Sequence, residues 1–234
     1  MASKRNEELK EVAKSIFSGL AFSYDAVLDW ATLMQDRCWK RWALHRVDPK
    51  GSDLLLDVGS GTCVTEERLR GRGCRVVGVD LTSEMLDFGK SKRLPGVHLL
   101  RGDAEALPFP DALFDAVISF YVVKYCDLGV FVSELSRVLK EGGRLVVYDF
   151  ARPRGLAAPA LAFYIYAVLR VAGWVARRVG AGIWVTFEEL PVIIRRTDWE
   201  VNLPLFAASS GLVIEEQAGL SGGAVRAFSL RKKS

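Results

Sequence analysis

Two acids and two glycines, each placed directly after a run of apolar residues, are the part of this sequence best suited to bind a ligand. The run Leu54–Leu56 leads into Asp57, which Gly59 and Gly61 follow, and a second run ends at Asp80. Glycine allows tight turns and close approach of a ligand to the main chain. An acid about twenty residues after such a turn can accept hydrogen bonds from ribose hydroxyl groups. The spacing therefore predicts a nucleoside-binding strand–turn–helix–strand unit.

The chemistry of the turn favours a nucleoside that carries positive charge. A dinucleotide-binding turn has a third small residue where this chain has Val64, and Asp57 would repel a pyrophosphate. A carboxylate suits a cationic ligand instead, and S-adenosylmethionine (SAM) carries an ammonium and a sulfonium group. SAM is therefore the predicted ligand. The alternatives are an ordinary strand-to-helix turn without a ligand and a nicotinamide-dependent oxidoreductase.

Alternating strands and helices must position these residues. Short apolar runs bounded by turn residues predict strands near residues 53–58, 74–79, 97–100, 114–120 and 144–148. Helices are predicted between them, near 63–71, after Thr82 or Ser83, and near 128–139, where Lys140–Gly143 ends the last one. This alternation predicts an α/β fold with a parallel, doubly wound sheet.

The flanking segments complete the predicted architecture. Two helices are predicted over residues 6–47, and two closing strands near 213–217 and 224–230. The expected fold is a Rossmann-like, mostly parallel seven-stranded sheet with helices on both faces. We expect a single domain made of N-terminal helices, a SAM-binding core, a helical cap insertion and closing strands, over 1–50, 51–151, 152–210 and 211–234.

Composition narrows the classes of partner and compartment. The chain has 234 residues, of which 50% are hydrophobic, and a net charge of +4. No basic stripe with interleaved aromatics is present, which argues against nucleic acid, whereas the basic clusters at both ends suit an acidic membrane surface. The four cysteines lack zinc-ligand spacing, so no metal is expected, and they fit a reducing cytoplasm. The charged residues 1–11 do not resemble a secretory signal.

One uncharged stretch is long enough to raise the question of whether it spans or touches a membrane. Residues 156–169 are apolar, but a spanning helix needs about twenty such residues, and Arg170 interrupts the run. The segment 156–176 is predicted either to cap the site as a core or lid helix or to touch a bilayer or an apolar substrate. Its aromatic residues suit a membrane interface.

Longer blocks follow a pattern shared by one enzyme family: Ile16-Phe17, Tyr24-Asp25, Arg37–Arg41, Val79–Leu86, Gly102–Phe109, Phe114-Asp115, Arg137–Gly143 and Leu220–Gly223. With these blocks the chain resembles class I SAM-dependent methyltransferases, and among them the ubiquinone/menaquinone biosynthesis C-methyltransferases. The resemblance covers most of the chain. The N-terminal Tyr-Asp and Trp-Lys-Arg blocks are the part more particular to the quinone enzymes.

The resemblance implies how each part of SAM would be held. The methionine part would be bordered by Asp57, Gly59, Gly61 and Ser119. The adenosine part would be bordered by Asp80 at the ribose, Leu81 and Met85 beside the adenine, and Asp103 with Ala104 at the adenine amino group. Two of these residues could instead have a purely structural role. Asp103 could form a turn, and Met85 could be an ordinary core residue.

The acceptor is less constrained, because the chain departs from the family after the fourth strand. The quinone enzymes typically carry Gly-Leu-Arg-Asn where this chain has Tyr121–Lys124, and the region 187–196 lacks an expected serine-containing pattern. The resemblance implies methylation of a ring carbon in an apolar, prenylated quinol such as demethylmenaquinol. The alternatives are O- or N-methylation of another lipid-like or small molecule, and a SAM-binding protein without catalysis.

A general base would help a hydroquinone react, by roughly a hundredfold or more. The candidates are Asp127, Tyr121, Tyr125 and His45. Asp127 is as well suited to cap the next helix, and His45 to lie on the surface. The localisation expected for such an enzyme is cytoplasmic, with peripheral contact at the inner face of the membrane, and a homodimer stays open.

Overall fold

The computed structural model describes residues 2–152, 167, 170–171, 174, 178, 191–194 and 197–233. Within these residues one sheet is formed by the strands β1 (Leu54–Val58), β2 (Arg75–Asp80), β3 (Val97–Arg101), β4 (Phe114–Phe120), β5 (Leu139–Phe150), β6 (Leu212–Leu220) and β7 (Val225–Lys232). Their order across the sheet is β3-β2-β1-β4-β5-β7-β6. The predicted seven-stranded sheet is confirmed.

Strand direction brings the predicted ligand-binding residues together. Strands β1 to β5 pair in parallel, and β7 is antiparallel to both β5 and β6. Parallel strands have their carboxyl ends at one edge of the sheet, where ligands bind in open α/β folds. The turn after β1 and Asp80 at the end of β2 therefore lie side by side.

Helices cover both faces of the sheet, as the sequence predicts. On one face lies α3 (Asp36–Val47), whose Trp39, Ala43 and Leu44 pack in one core cluster with Leu55. On the other face α6 (Leu128–Val138) packs in a second cluster with Leu56. Leu55 and Leu56 point to opposite faces because successive strand residues alternate. The shorter helices α4 (Val64–Leu69) and α5 (Ser83–Ser91) follow β1 and β2.

The N-terminal segment contains three helices, so the prediction of two is wrong. They are α1 (Ala2–Leu20), α2 (Tyr24–Ala31) and α3. Leu33 and Met34 have φ angles of +49° and +62°, which a continuing helix cannot accommodate. The helical spacing of apolar residues continues through this break, so the sequence pattern did not reveal that α2 ends there.

The predicted strand at 144–148 begins earlier than expected. Strand β5 starts at Leu139, directly after α6, and its pairing with β4 shifts between Phe114 and Ala116. Gly142 has a φ angle of +70° in the extra residues. The Lys140–Gly143 segment therefore forms an irregularity inside the strand rather than a loop before it.

The predicted cap insertion over 152–210 is described only in part. Residues 191–194 are helical, and a further helix, α7, spans Trp199–Ser209. Trp199, Leu203 and Ala207 belong to the core cluster that contains α6, so α7 covers the sheet and does not cap the site. Most of the segment 156–176 and part of 187–196 lie outside the described residues. Among the described residues, no helix combines the length and apolar character that crossing a bilayer requires.

Candidate functional site

A cavity of about 430 Å³ opens at the carboxyl ends of β1, β2 and β4. Its walls come from the turns after strands, over 58–62, 79–82, 102–104 and 120–122, and from helices α1, α2 and α3. This volume lies within the range of small-molecule sites. The N-terminal helices therefore close a site that the sheet edge opens.

The glycine turn forms one wall of the cavity. Gly59 has a φ angle of +83° and Gly61 of +53°, the left-handed region that favours glycine. A Cβ atom at Gly59 would lie 2.1 Å from Cγ2 of Val122, whereas one at Gly61 would meet nothing nearer than 3.9 Å. Gly59 is thus needed for packing, and Gly61 leaves open space beside the main chain.

Asp80 joins two turns at the edge of the cavity. Its Oδ2 accepts a hydrogen bond from the Gly61 N–H at 2.9 Å, and its Oδ1 accepts one from the Thr82 N–H at 2.8 Å. Burial raises the pKa of this carboxyl group. Each oxygen keeps a lone pair for a further donor, which is what a ribose hydroxyl would need.

A group of polar side chains beneath the glycine turn has acceptors without partners. Oδ1 of Asp57, Oγ of Ser60 and both carboxylate oxygens of Glu66 are buried and receive no hydrogen bond. Burial raises the pKa of Asp57 to about 7, the charge of Lys40 lowers it, and the charge of Asp80 raises it. Unpaired buried acceptors are costly. Of these three residues Ser60 lines the cavity, where a ligand above the turn could reach it, and the buried carboxyl groups favour positive charge nearby.

Asp103 is paired with a residue of the first helix. Its Oδ2 lies 2.7 Å from Nζ of Lys10, which also lies 3.0 Å from Oε2 of Glu105. Oδ1 of Asp103 accepts a hydrogen bond from the Glu105 N–H at 2.9 Å. Asp103 therefore stabilises a turn, which was the structural alternative to ligand binding. It also lines the cavity.

The other residues implied for SAM binding fall into two groups. Leu81, Met85 and Ala104 line the cavity together with Asp80, Asp103 and the two glycines. Ser119 and Asp57 do not line it. Ser119 is buried and its hydroxyl donates to the carbonyl oxygen of Val58 at 2.8 Å, so it supports the β1 end from behind.

The four candidate bases are also divided by the structure. Tyr121 and Tyr125 line the cavity, and burial raises the pKa of both hydroxyls far above neutrality. Asp127 caps α6, accepting hydrogen bonds from the N–H groups of Gly129 and Val130, and is not on the cavity wall. His45 is exposed on α3, away from the cavity. Asp127 therefore caps a helix and His45 lies on the surface, which were the alternatives to a role as base.

A polar cluster that sequence analysis missed lies on the helical side of the cavity. Oδ1 of Asp36 accepts hydrogen bonds from the hydroxyls of Tyr121 at 2.7 Å and Tyr148 at 3.2 Å. Its Oδ2 pairs with Nζ of Lys40 at 2.5 Å. The available signal was an acid and a lysine four residues apart on the α3 face that also carries the buried Trp39.

The residue that replaces the family asparagine is part of a buried ion pair. Nζ of Lys124 lies 2.9 Å from Oδ1 of Asp149 and donates to the carbonyl oxygen of Tyr121 at 2.5 Å. Burial lowers the pKa of Lys124 and raises that of Asp149. Neither side chain lines the cavity. Lys124 therefore acts on the cavity indirectly, by holding the backbone of Tyr121.

Comparison with known sequences gives consistent results. A family model described as "Methyltransferase domain" matches residues 56–147. The chain is 36% identical over 202 residues to a demethylmenaquinone methyltransferase of Streptomyces avermitilis, covering 81% of this chain and 86% of that protein. It is 33% identical over 222 residues to a demethylmenaquinone methyltransferase of Renibacterium salmoninarum, covering 93% and 92%.

Solved structures with the same fold are more distant in sequence. A chain from the complex between the Haloferax volcanii Trm112 methyltransferase activator and the putative methyltransferase has a TM-score of 0.66 at 19% identity, covering 93% of this chain and 98% of that one. The geranyl diphosphate C-methyltransferase of Streptomyces coelicolor, in complex with Mg²⁺, geranyl diphosphate and S-adenosyl-L-homocysteine, has a TM-score of 0.60 at 18% identity, covering 84% and 79%. At these identities the likeness concerns the fold.

Proposed function

This chain belongs to the class I SAM-dependent methyltransferases of the quinone biosynthesis family, and we propose that it methylates a ring carbon of a prenylated quinol similar to demethylmenaquinol. The observation that carries the proposal is the similarity to a demethylmenaquinone methyltransferase over 93% of this chain and 92% of that protein. The cavity at the sheet edge supports it with a site of suitable size.

The residues around the glycine turn fit SAM. Main-chain groups of Gly59 to Gly61 would border its methionine part, above the unpartnered Asp57 and Ser60. Asp80 would accept from the ribose hydroxyls, and Asp103 from the adenine amino group. When bound there, SAM supplies an electrophilic methyl group on a positive sulfur. The protein contributes orientation and exclusion of water.

The helical side of the cavity supports an apolar acceptor. Ala13, Phe17 and Leu28 from α1 and α2 line this side. Phe17 packs edge-on against the rings of Tyr24 and Tyr125, each at 5.8 Å between centroids. An aromatic ring can pack against such a wall, and aromatic pairs in this geometry are favourable.

Exposed apolar side chains on α2 and in the loops on either side of it support contact with a lipid surface. Phe22 is 90% exposed, and Trp30, Leu33 and Met34 are at least half exposed. The net charge of +4 favours anionic lipid. A prenylated quinol dissolved in a bilayer would then reach the cavity without crossing water.

The direct test is methyl transfer by the purified protein. We expect SAM and demethylmenaquinol to give menaquinol, identified by mass, and methylated-ring protons identified by NMR. SAM affinity is measured separately by calorimetry. SAM binding without turnover on any of a panel of quinols would contradict the quinol assignment and leave the SAM site intact.

The departure at Tyr121–Lys124 favours one alternative, methylation of oxygen or nitrogen in another lipid-like molecule. Labelled SAM incubated with a lipid extract distinguishes the two. Label on a ring carbon supports the quinol, and label on a hydroxyl or amine supports the alternative.

A further inference from the structure

A nearly buried polar cluster lies on the helical side of the cavity, which Ala13, Phe17 and Leu28 also line. Asp36, Lys40 and Tyr121 line the cavity and are nearly buried, and Tyr148 lies fully buried behind them. Replacing a buried ion pair by apolar residues is often neutral or stabilising, so stability alone does not explain this cluster.

The backbone of Tyr121 is held in a conformation that few bulky residues adopt. Its φ angle is +66°, in the left-handed region. Its N–H donates to the carbonyl oxygen of Tyr148 at 3.0 Å, and its own carbonyl accepts from Lys124. Strained residues of this kind persist where the surroundings impose them, often at functional sites. Here the constraint directs the Tyr121 hydroxyl to Asp36.

The hydrogen bonds define which groups can give and take protons. Tyr121 donates to Asp36, so the lone pairs of its hydroxyl oxygen remain open to a donor in the cavity. Since its pKa is raised, mainly by burial, Tyr121 is neutral at physiological pH and is not itself the base. Asp36 is held by Lys40, and the nearby hydroxyl of Tyr24 also has a raised pKa, from burial and then from the charge of Asp36.

We propose that Asp36 and Tyr121 form the subsite for a ring hydroxyl of the methyl acceptor, and that Asp36 receives the hydroxyl proton through Tyr121. This rests on the proposed function and assigns the residues that would hold and deprotonate the ring hydroxyl of its acceptor. The acceptor hydroxyl donates to Tyr121 Oη while the Tyr121 proton passes to Asp36 Oδ1.

The step balances with one proton released. Loss of the hydroxyl proton leaves its electron pair on the ring, so the neighbouring ring carbon forms the new bond to the methyl carbon. The pair of the broken methyl–sulfur bond stays on sulfur. The ring carbon then loses its hydrogen as a proton, which returns to the ring oxygen by way of water. Asp36 passes the first proton to solvent.

The experiment compares Asp36→Asn and Tyr121→Phe with the native enzyme on hydroquinones of increasing hydroxyl acidity. Asp87→Asn, an exposed acid on α5, is the matched control. We expect kcat on the least acidic acceptor to fall about a hundredfold or more for both variants, and the loss to shrink as the acceptor becomes more acidic. SAM affinity and the unfolding midpoint report whether each variant is folded.

The outcomes distinguish failure of the proposed function from failure of the Asp36–Tyr121 subsite alone. Native enzyme without turnover on any hydroquinone overturns the proposed function and this inference together. Native turnover with either folded variant within threefold of it, or with equal losses at every hydroxyl acidity, overturns the inference alone. If Asp36→Asn does not fold, Tyr121→Phe decides, because it keeps the Asp36–Lys40 pair.

Discussion

At the level of single residues, the site depends on carboxyl groups that the protein buries without full compensation. Burial raises the pKa of both Asp57 and Glu66; in addition, the charge of Asp57 raises the pKa of Glu66, and the charge of Asp80 raises that of Asp57. Such groups reduce stability in exchange for a local preference for positive charge. Their effect on stability should therefore depend on pH.

Asp57→Asn tests this directly. The folded pKa of Asp57 is about 7, above the value of about 3.9 in an unfolded chain, so this carboxyl group favours folding below about pH 4 and loses that contribution as pH rises to 7. We expect the stability of the variant relative to the native protein to rise across this window by roughly 4 kcal/mol, since each pKa unit corresponds to about 1.4 kcal/mol. Urea unfolding at a series of pH values measures the difference.

The same variant should bind SAM more weakly, as calorimetry would show. A stability difference that stays constant from pH 4 to 8 would mean that the Asp57 carboxyl is compensated in the folded protein.

Gly59 illustrates a second constraint on a single residue. Gly59→Ala adds a Cβ in contact with Val122 and a left-handed backbone penalty, whereas Gly71→Ala, with a φ angle of +84° and no atom within 4 Å, adds only the penalty. We expect about 1 kcal/mol of destabilisation at Gly71 and roughly 1–3 kcal/mol more at Gly59. Urea unfolding of both variants gives the difference. Equal effects would show that Val122 moves aside freely.

At the level of elements, Lys10 joins α1 to two acids in the loop after β3, beside the cavity. Lys10 pairs with both Asp103 and Glu105, and all three side chains are at least partly buried. The helix also contributes Ala13 and Phe17 to the cavity. Detachment of α1 would open the site.

Lys10→Met should loosen α1, because it leaves two acids near each other without their cation. We expect amide hydrogen exchange in α1 to become faster, corresponding to about 1–3 kcal/mol less protection. Lys14→Met, on the same helix but in an exposed pair with Glu11, is the matched control and should change little. Similar exchange in both variants would show that apolar contacts alone hold α1.

At the level of the whole molecule, four of the exposed apolar side chains lie on or beside the N-terminal helices that close the cavity. Phe22 follows α1, Trp30 lies on α2, and Leu33 and Met34 connect α2 to α3. Binding of this surface to lipid would place the opening of the cavity near the bilayer.

Trp30→Ser with Leu33→Ser should weaken binding to vesicles that contain anionic lipid. Each lost apolar contact removes on the order of 1–2 kcal/mol, so we expect at least a tenfold lower partition coefficient in co-sedimentation. Val213→Ser, an exposed apolar residue on β6, is the control. Unchanged SAM affinity confirms that the double variant is folded. An unchanged partition coefficient would contradict contact between this surface and lipid.

Local pattern in the sequence was enough for the sheet and for the glycine turn that lines the cavity. Strand β4 was predicted at its observed bounds, and β1 and β2 within one residue, because buried strands read as short apolar runs between turn residues. The order of Asp57, the two glycines and Asp80 determined the ligand-binding edge, since parallel strands bring their ends together. These properties depend on residues close in the chain.

Tertiary structure alone decided the polar cluster on the helical side of the cavity. Asp36, Tyr121 and Tyr148 come from α3 and from the ends of β4 and β5, and no local pattern relates residues 85 and 112 positions apart in the chain. Sequence spacing likewise does not predict the ion pair between Lys10 and Asp103, the buried pair Lys124–Asp149, or the packing of α7 on the sheet. A side chain's partner across the fold depends on how whole elements pack, and packing is not encoded in the spacing of neighbouring residues.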